Sequence, residues 1–252
     1  MARYILEVMY DGTQFHGSQI QGETPTVQLY INHAISTILK TKTESFGASR
    51  TDEGVHAFCN FYHFDAEQEL KPDFLYKCNS IIPYGMAVKC IYLAIKPDFN
   101  ARFDALTRKY SYHIYTKKDP FLHKRALYYP FKLQHDLLIE TASIIKEYAV
   151  FESFSKRNTQ SKTFNCTIYR SEWEFQENRL MYIVEGNRFL RGMVRGLVAT
   201  QLKVARGNLT IDNFKEIIEA QDCTKAFFNV EGHGLYLEHI SYPEDTMKGI
   251  YL

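Results

Sequence analysis

Residues 108–115 read Arg-Lys-Tyr-Ser-Tyr-His-Ile-Tyr, apolar and polar by turns. A period of two marks a strand whose two faces meet different surroundings. Tyr110, Tyr112 and Ile114 take one face, and Lys109, Ser111 and His113 take the other. Strand-like runs rich in aromatic and branched residues also fall at 3–10, 44–48, 57–64, 86–94 and 235–242, and a hairpin is expected from 165–175 and 180–185. Between them lie runs of helical period. Val27, Ile31, Ala34, Ile35 and Ile38 share one face of a helix with Thr24 as its expected N-cap and Pro25 at its first position. Pro72 opens a second helix, which carries Phe74, Leu75, Cys78, Ile81 and Ile82. Helices are also expected at 136–148 and 188–206, and Thr210 caps a short last one before the strand at 235–242 ends the domain. No Pro/Gly/Ser-rich linker interrupts the chain, and the second half echoes the first in the order of its elements. The expectation is an α+β fold, with a continuous, mainly antiparallel sheet flanked by helices. Its two pseudo-repeated halves, 1–105 and 106–252, are expected to form one unit.

The 252 residues suffice for one large domain or two intimately packed halves. A formal net charge of +1 gives no global attraction to nucleic acid, membrane or acidic ligands, so any polyanion site has to be local. Apolar residues at 45% and aromatics at 15% exclude a disordered or collagen-like chain. Five scattered cysteines, with no Cys-x-x-Cys or Cys/His cluster at zinc spacing, fit reduced thiols. The N-terminus opens on a strand pattern without an apolar signal core, and no apolar run approaches a membrane span. A cytoplasmic location, with no membrane partner, is the expectation.

Charge is concentrated in one region. Residues 153–208 hold ten Lys/Arg against four acids. At about 100° per residue, Arg188, Arg191, Arg195 and Arg206 fall within an arc of about 60°. Phe189, Leu190, Met193, Val194, Leu197 and Val198 cover the other side, so the expected helix is basic in front and apolar behind. A solvated arginine face is the plain reading of that pattern alone. The acid-free loop with Lys156, Arg157 and Lys162 shifts the balance toward phosphate binding.

The other distinctive segment is Ser49-Arg-Thr-Asp-Glu-Gly-Val-His56, a strongly polar loop between two apolar strands. Loops held by a rigid scaffold often carry reactive groups. Arg50 is near enough in sequence to favour the ionised form of Asp52, and a carboxylate can serve as nucleophile or base. In isolation Asp52 reads first as a turn or N-cap residue. Metal binding by Asp52 and His56 is not expected, because Gly54 argues against a helix and no third ligand is in view.

The segment Ala48-Ser-Arg-Thr-Asp-Glu-Gly-Val-His-Ala57 resembles the Gly-Arg-Thr-Asp-x-Gly-Val-His-Ala box of the TruA family of tRNA pseudouridine synthases. Further matches follow in family order. They are Tyr10-Asp-Gly-Thr-Gln-Phe-His-Gly17 with Thr26-Val-Gln28, Phe99-Asn-Ala-Arg-Phe-Asp-Ala105 with Arg108-Lys-Tyr-Ser-Tyr112, Asn187-Arg-Phe-Leu-Arg-Gly-Met-Val-Arg195, and Gly234-Leu-Tyr-Leu237. The likeness spans essentially the whole chain. It implies isomerisation of uridine to pseudouridine at positions 38, 39 and 40 of the tRNA anticodon arm by a homodimer, without cofactor or metal. It further implies that Asp52 is the catalytic aspartate, that Tyr110 packs on the target uracil, and that Arg195 pairs with the aspartate. Arg50 then stabilises the extruded uridine or fills its place in the stack. Lys156, Arg157, Lys162, Arg188 and Arg191 are the expected phosphate contacts. His56, Met193, Phe189 and Tyr112 are expected to be structural.

Three residues depart from the family pattern. Ser49 replaces a glycine, Glu53 stands where a small residue is usual, and Ser18 replaces a tryptophan. If Glu53 points inward, its charge disfavours an ionised Asp52 or repels phosphate. Loss of the tryptophan is expected to alter packing or RNA contact. The alternatives are a relative that modifies another RNA, a non-catalytic tRNA-binding or chaperone-like protein, and a basic-faced scaffold with no RNA role.

Overall fold

The structure, a computed structural model, describes residues 1–157 and 163–251. The chain divides into two compact units, Met1–Leu106 with Leu237–Leu252, and Thr107–Tyr236. In the first, β1 (Ala2–Tyr10), α1 (Val27–Leu39), β2 (Phe46–Gly47), β3 (His56–Ala66), α2 (Phe74–Ile81) and β4 (Met86–Ala94) follow in order. β1 lies between β3 and β4 and is antiparallel to both, and β2 pairs with β3. In the second come β5 (Thr107–Tyr115), β6 (Leu127–Tyr128), α3 (His135–Ile145), β7 (Ile168–Gln176), β8 (Arg179–Gly186), α4 (Met193–Ala205) and α5 (Ile211–Glu219). β8 lies antiparallel between β5 and β7, and β6 adds to β5 in parallel. β9 (Leu235–Ser241) carries the chain back to the first unit. The α+β class and the mainly antiparallel pairing agree with the sequence.

The chain does not end at β9 as expected. β10 (Met247–Tyr251) follows and pairs antiparallel with β4. With Lys248 and Gly249 exposed on it, this edge strand lacks the apolar alternation that marks the others.

The first helix begins two residues later than its sequence suggests. Thr26, not Thr24, is the N-cap, and its hydroxyl accepts from Leu29 N–H at 3.4 Å. Thr24 N–H donates to Gln21 O in a turn and Thr26 is extended; His16 N–H donates to Pro25 O, while Gly17 O and Ser18 O accept Val27 N–H and Gln28 N–H. Those carbonyls satisfy orphan donors of the first turn. Val27, Ile31, Ala34 and Ile35 are buried as expected.

A larger correction concerns residues 188–206. The helix starts only at Met193, because Gly192 sits at φ +76° and a left-handed residue cannot continue a right-handed helix. A Cβ at 192 would also lie 2.9 Å from Lys156 Cγ. Of its 13 residues, 11 are buried, so α4 is a core helix and not a helix with one basic face. Arg188 and Arg191 precede it. Arg206 caps its far end, with its guanidinium 3.9 Å from the Phe131 ring centroid.

In the first unit, His63 on β3 stacks on Phe46 and accepts Ala101 N–H through Nδ1 at 3.2 Å. Burial, aided by the Arg3 charge, lowers its pKa to about 4. The unfolded chain takes up this proton near the ordinary value of about 6.5, whereas the folded chain does not until about 4. The contribution of His63 to stability is therefore complete above about pH 6.5 and is lost as pH falls toward 4. Thermal melts across that window are expected to show a shallower fall for His63→Gln than for wild type. Equal slopes would contradict the neutral, buried state of His63.

Candidate active site

Asp52 belongs to a turn that is closed by Val55 N–H donating to Asp52 O at 3.2 Å. Two features hold the turn, and both come from the motif at 10–18. At one end, Ser18 and Thr51 bond reciprocally: Thr51 N–H donates to Ser18 Oγ at 2.8 Å, and Ser18 N–H to Thr51 O at 3.0 Å. The Thr51 hydroxyl also bonds the Tyr10 hydroxyl at 2.9 Å. At the other end, His56 Nδ1 accepts Gly12 N–H at 3.2 Å, with Asp11 Oδ1 at 3.2 Å from the same nitrogen. Gly12 lies so close to the loop that a Cβ there would be 2.1 Å from Val55 O. The sequence boxes at 10–17 and 48–57 are thus two sides of one clamp.

Asn60 completes it from β3. Fully buried, it donates to Ser49 O and to the Tyr10 hydroxyl, and its Oδ1 accepts Ser49 N–H. Sequence reading missed this residue, and the signal was a polar side chain amid the apolar run Ala57–Tyr62. Glu53 points away from the turn: its side chain is 73% exposed, with Oε1 3.5 Å from His16 Nδ1. Ser18 is buried and bonds the loop directly, so the departure from tryptophan puts a hydrogen-bonding group at this position. Ser18→Ala leaves the buried Thr51 N–H without that acceptor, at a cost of about 1–3 kcal/mol. Melting is expected to fall by several degrees, with turnover reduced as the loop loosens. An unchanged Tm would show that the clamp does not depend on this bond.

The second unit holds Tyr110 and Arg195. Tyr110, on β5 opposite Val184, is 7% exposed, and its ring meets the Phe189 ring edge-on at 5.2 Å between centroids. The segment carrying Phe189 is pinned by Arg108, which donates to Asn187 O at 2.8 Å, and by Asn187 Oδ1, which accepts Thr167 N–H at 2.9 Å. Arg195, in the first turn of α4, donates from Nε and Nη2 to Val230 O at 2.9 and 2.7 Å. Next to it, the fully buried Tyr112 donates to Glu231 O at 2.7 Å. Burial raises the pKa of the Tyr112 phenol, opposed by the Arg195 charge. Backbone at 230–231 thus orients both side chains.

Of the expected phosphate contacts, Lys156 and Arg191 are brought together, since Lys156 N–H donates to Arg191 O at 2.9 Å. Arg50, Arg157 and Arg191 are exposed, and Arg188 donates to Thr163 Oγ1 at 3.2 Å. Lys162 lies outside the described residues. The five cysteines are free thiols. Among the described residues, no helix is long and apolar enough to cross a membrane.

A profile of the tRNA pseudouridine synthase family matches residues 149–243. A protein of Parabacteroides distasonis called tRNA pseudouridine synthase A is 40% identical over 248 residues, covering 97% of this chain and 98% of its own. Its namesake in Bacteroides thetaiotaomicron is 40% identical over 252 residues, with 98% and 93% covered. One from Staphylococcus carnosus is 32% identical over 241 residues, with 94% and 90% covered. The chain belongs to the tRNA pseudouridine synthase family.

Proposed function

We propose that this protein isomerises uridine to pseudouridine at positions 38, 39 and 40 of the tRNA anticodon arm, with Asp52 acting on the ribose. The observation that carries the proposal is the clamp on residues 49–56. It fixes the backbone around one carboxylate while leaving that residue only half-buried. The reaction breaks the N1–C1′ bond and joins C1′ to C5, and the C5 hydrogen leaves as a proton, so nothing is oxidised or reduced. A carboxylate promotes the first step by adding to C1′ or by taking the C2′ proton. Both routes use its charged form. The detached uracil has to be held and kept from water while it turns.

Tyr110 is proposed to hold the uracil by its face. Its fixed edge-on contact with Phe189 supports that role. Arg195 is proposed as the cation for the carboxylate, and its orientation by Val230 O suits it to such a task. Arg50 is proposed to support the extruded uridine, and Lys156, Arg157, Arg188 and Arg191 to contact phosphate. The reading includes a homodimer acting in the cytoplasm without cofactor. Incubating the protein with an unmodified tRNA transcript bearing uridines at 38, 39 and 40, then mapping pseudouridine by position, tests it. Product at those positions supports the proposal, and product elsewhere alone would replace the target.

A further inference from the structure

The first unit contains a cavity of about 170 Å³ beside the Asp52 loop. A water molecule's share of liquid volume is about 30 Å³, so the space is sized for a larger guest. Ser18, Ser49 and Gln28 line it, the small Ser18 side chain leaving it open, while Asp52 does not. No residue of the lining is acidic, and two, Arg50 and Arg102, are cationic. Phe46 and Phe103, 55% and 77% exposed, stand among them.

The motif at 99–105 builds this rim. Asn100 Oδ1 accepts both Arg102 N–H and Phe103 N–H, at 3.0 and 3.2 Å, and Asp104 closes the turn by accepting Asn100 N–H at 2.7 Å. The turn is tied down behind by Ala101, whose carbonyl accepts from the Tyr242 hydroxyl at 2.6 Å. The turn displays the Arg102 and Phe103 side chains to solvent, with the Arg102 guanidinium 5.5 Å from the Phe103 ring centroid. Beneath lies Tyr62, which lines the cavity and is 1% exposed; its hydroxyl makes no well-formed hydrogen bond and has only the Ser18 hydroxyl as a weak polar neighbour. A buried hydroxyl so poorly satisfied is costly and asks for an explanation.

We propose that the cavity receives one unstacked nucleobase of the RNA other than the uridine being isomerised, with Tyr62 as its hydrogen-bond donor and Arg102 on the adjoining phosphate. A flat, polar-edged, negatively linked group fits aromatic, amide and guanidinium walls without acids. Burial keeps the Tyr62 phenol protonated by raising its pKa, so a proton is there to donate. The inference rests on tRNA being the substrate.

The test measures binding of unmodified tRNA transcript by wild type, Tyr62→Phe and Arg102→Ala. Since the Tyr62 hydroxyl has only a weak contact with the Ser18 hydroxyl within the protein, Tyr62→Phe is expected to melt close to the wild-type temperature. Binding is expected to weaken about fivefold, the size of one hydrogen bond. Transcripts with an abasic nucleotide at each anticodon-arm position outside 38–40 then locate the guest. At one position wild type should lose roughly tenfold, and Tyr62→Phe should lose clearly less. Arg102→Ala, altered at an exposed side chain, carries the same test if Tyr62→Phe folds poorly. Wild-type binding by both variants, or no position that couples, would overturn the inference while leaving uridine isomerisation standing. A wild type that neither binds nor modifies the transcript would overturn the functional reading as well.

Discussion

Asp52→Ala is expected to lower the rate of pseudouridine formation by on the order of 10⁴-fold, the scale seen when a group acting in the transition state is deleted. The tRNA affinity should stay within about threefold, because phosphate and shape contacts dominate binding to structured RNA. Stability should hardly change: Asp52 is only half-buried, and the Val55 N–H bond that closes its turn goes to its main-chain oxygen, which alanine retains. Asp52→Asn, of the same shape but without charge, should lose as much. An asparagine variant that keeps most of the activity would mean that the residue acts through hydrogen bonding and not through its carboxylate.

The second large effect lies at Gly12, 40 residues away in the chain. A Cβ at this position would sit 2.1 Å from Val55 O and 2.4 Å from Val55 C, both backbone atoms that no rotamer change can move aside. Gly12→Ala therefore has to separate the two sides of the clamp. Overpacking of this kind costs about 3 kcal/mol or more, a fall in Tm of about 6–12 °C for a chain of this size. A shift of the loop by about 1 Å misplaces Asp52, and such misplacement is worth roughly 10²-fold in kcat. Gly22→Ala is the control. Nothing lies within 4 Å of a Cβ there, so only its left-handed backbone, at φ +58°, adds a cost of about 1 kcal/mol. If both alanines behaved alike, the close approach of residue 12 to the loop would not be what matters.

These two residues also show how far the sequence was legible. The strands were readable because their period of two is imposed by burial on one face, and the 49–56 loop stood out because polar residues interrupt two apolar strands. The long helix at 188–206 was misread for a physical reason. Arg188, Arg191 and Arg195 recur at helical spacing, but periodicity does not register a positive φ, and Gly192 at +76° ends the pattern. Nor could an arginine arc reveal that α4 is enclosed on nearly every side. The sheet edge at β10 escaped because edge strands carry charge and glycine in place of alternation.

The site divides in the same way. Asp52, Tyr110 and Arg195 are proposed from motifs, yet the motifs do not say what holds them. Asn60 shows only as a polar side chain in an apolar strand and Ser18 only as a departure from the family pattern, and their work appears only once segments far apart in sequence are folded against one loop. The 99–105 motif was recognisable but had no task until Arg102 and Phe103 were seen at the rim of a cavity.

Isomerisation has one signature that binding alone lacks: joining C5 to C1′ expels the C5 hydrogen. A transcript labelled with tritium at C5 of its uridines, incubated with the protein and no added cofactor, is expected to release tritium to water in step with pseudouridine formed. Asp52→Ala, bound to the same transcript, is expected to release none above background. Release by Asp52→Ala at the wild-type rate, or none from a folded wild type that binds the transcript, would contradict the assignment of uridine isomerisation to Asp52.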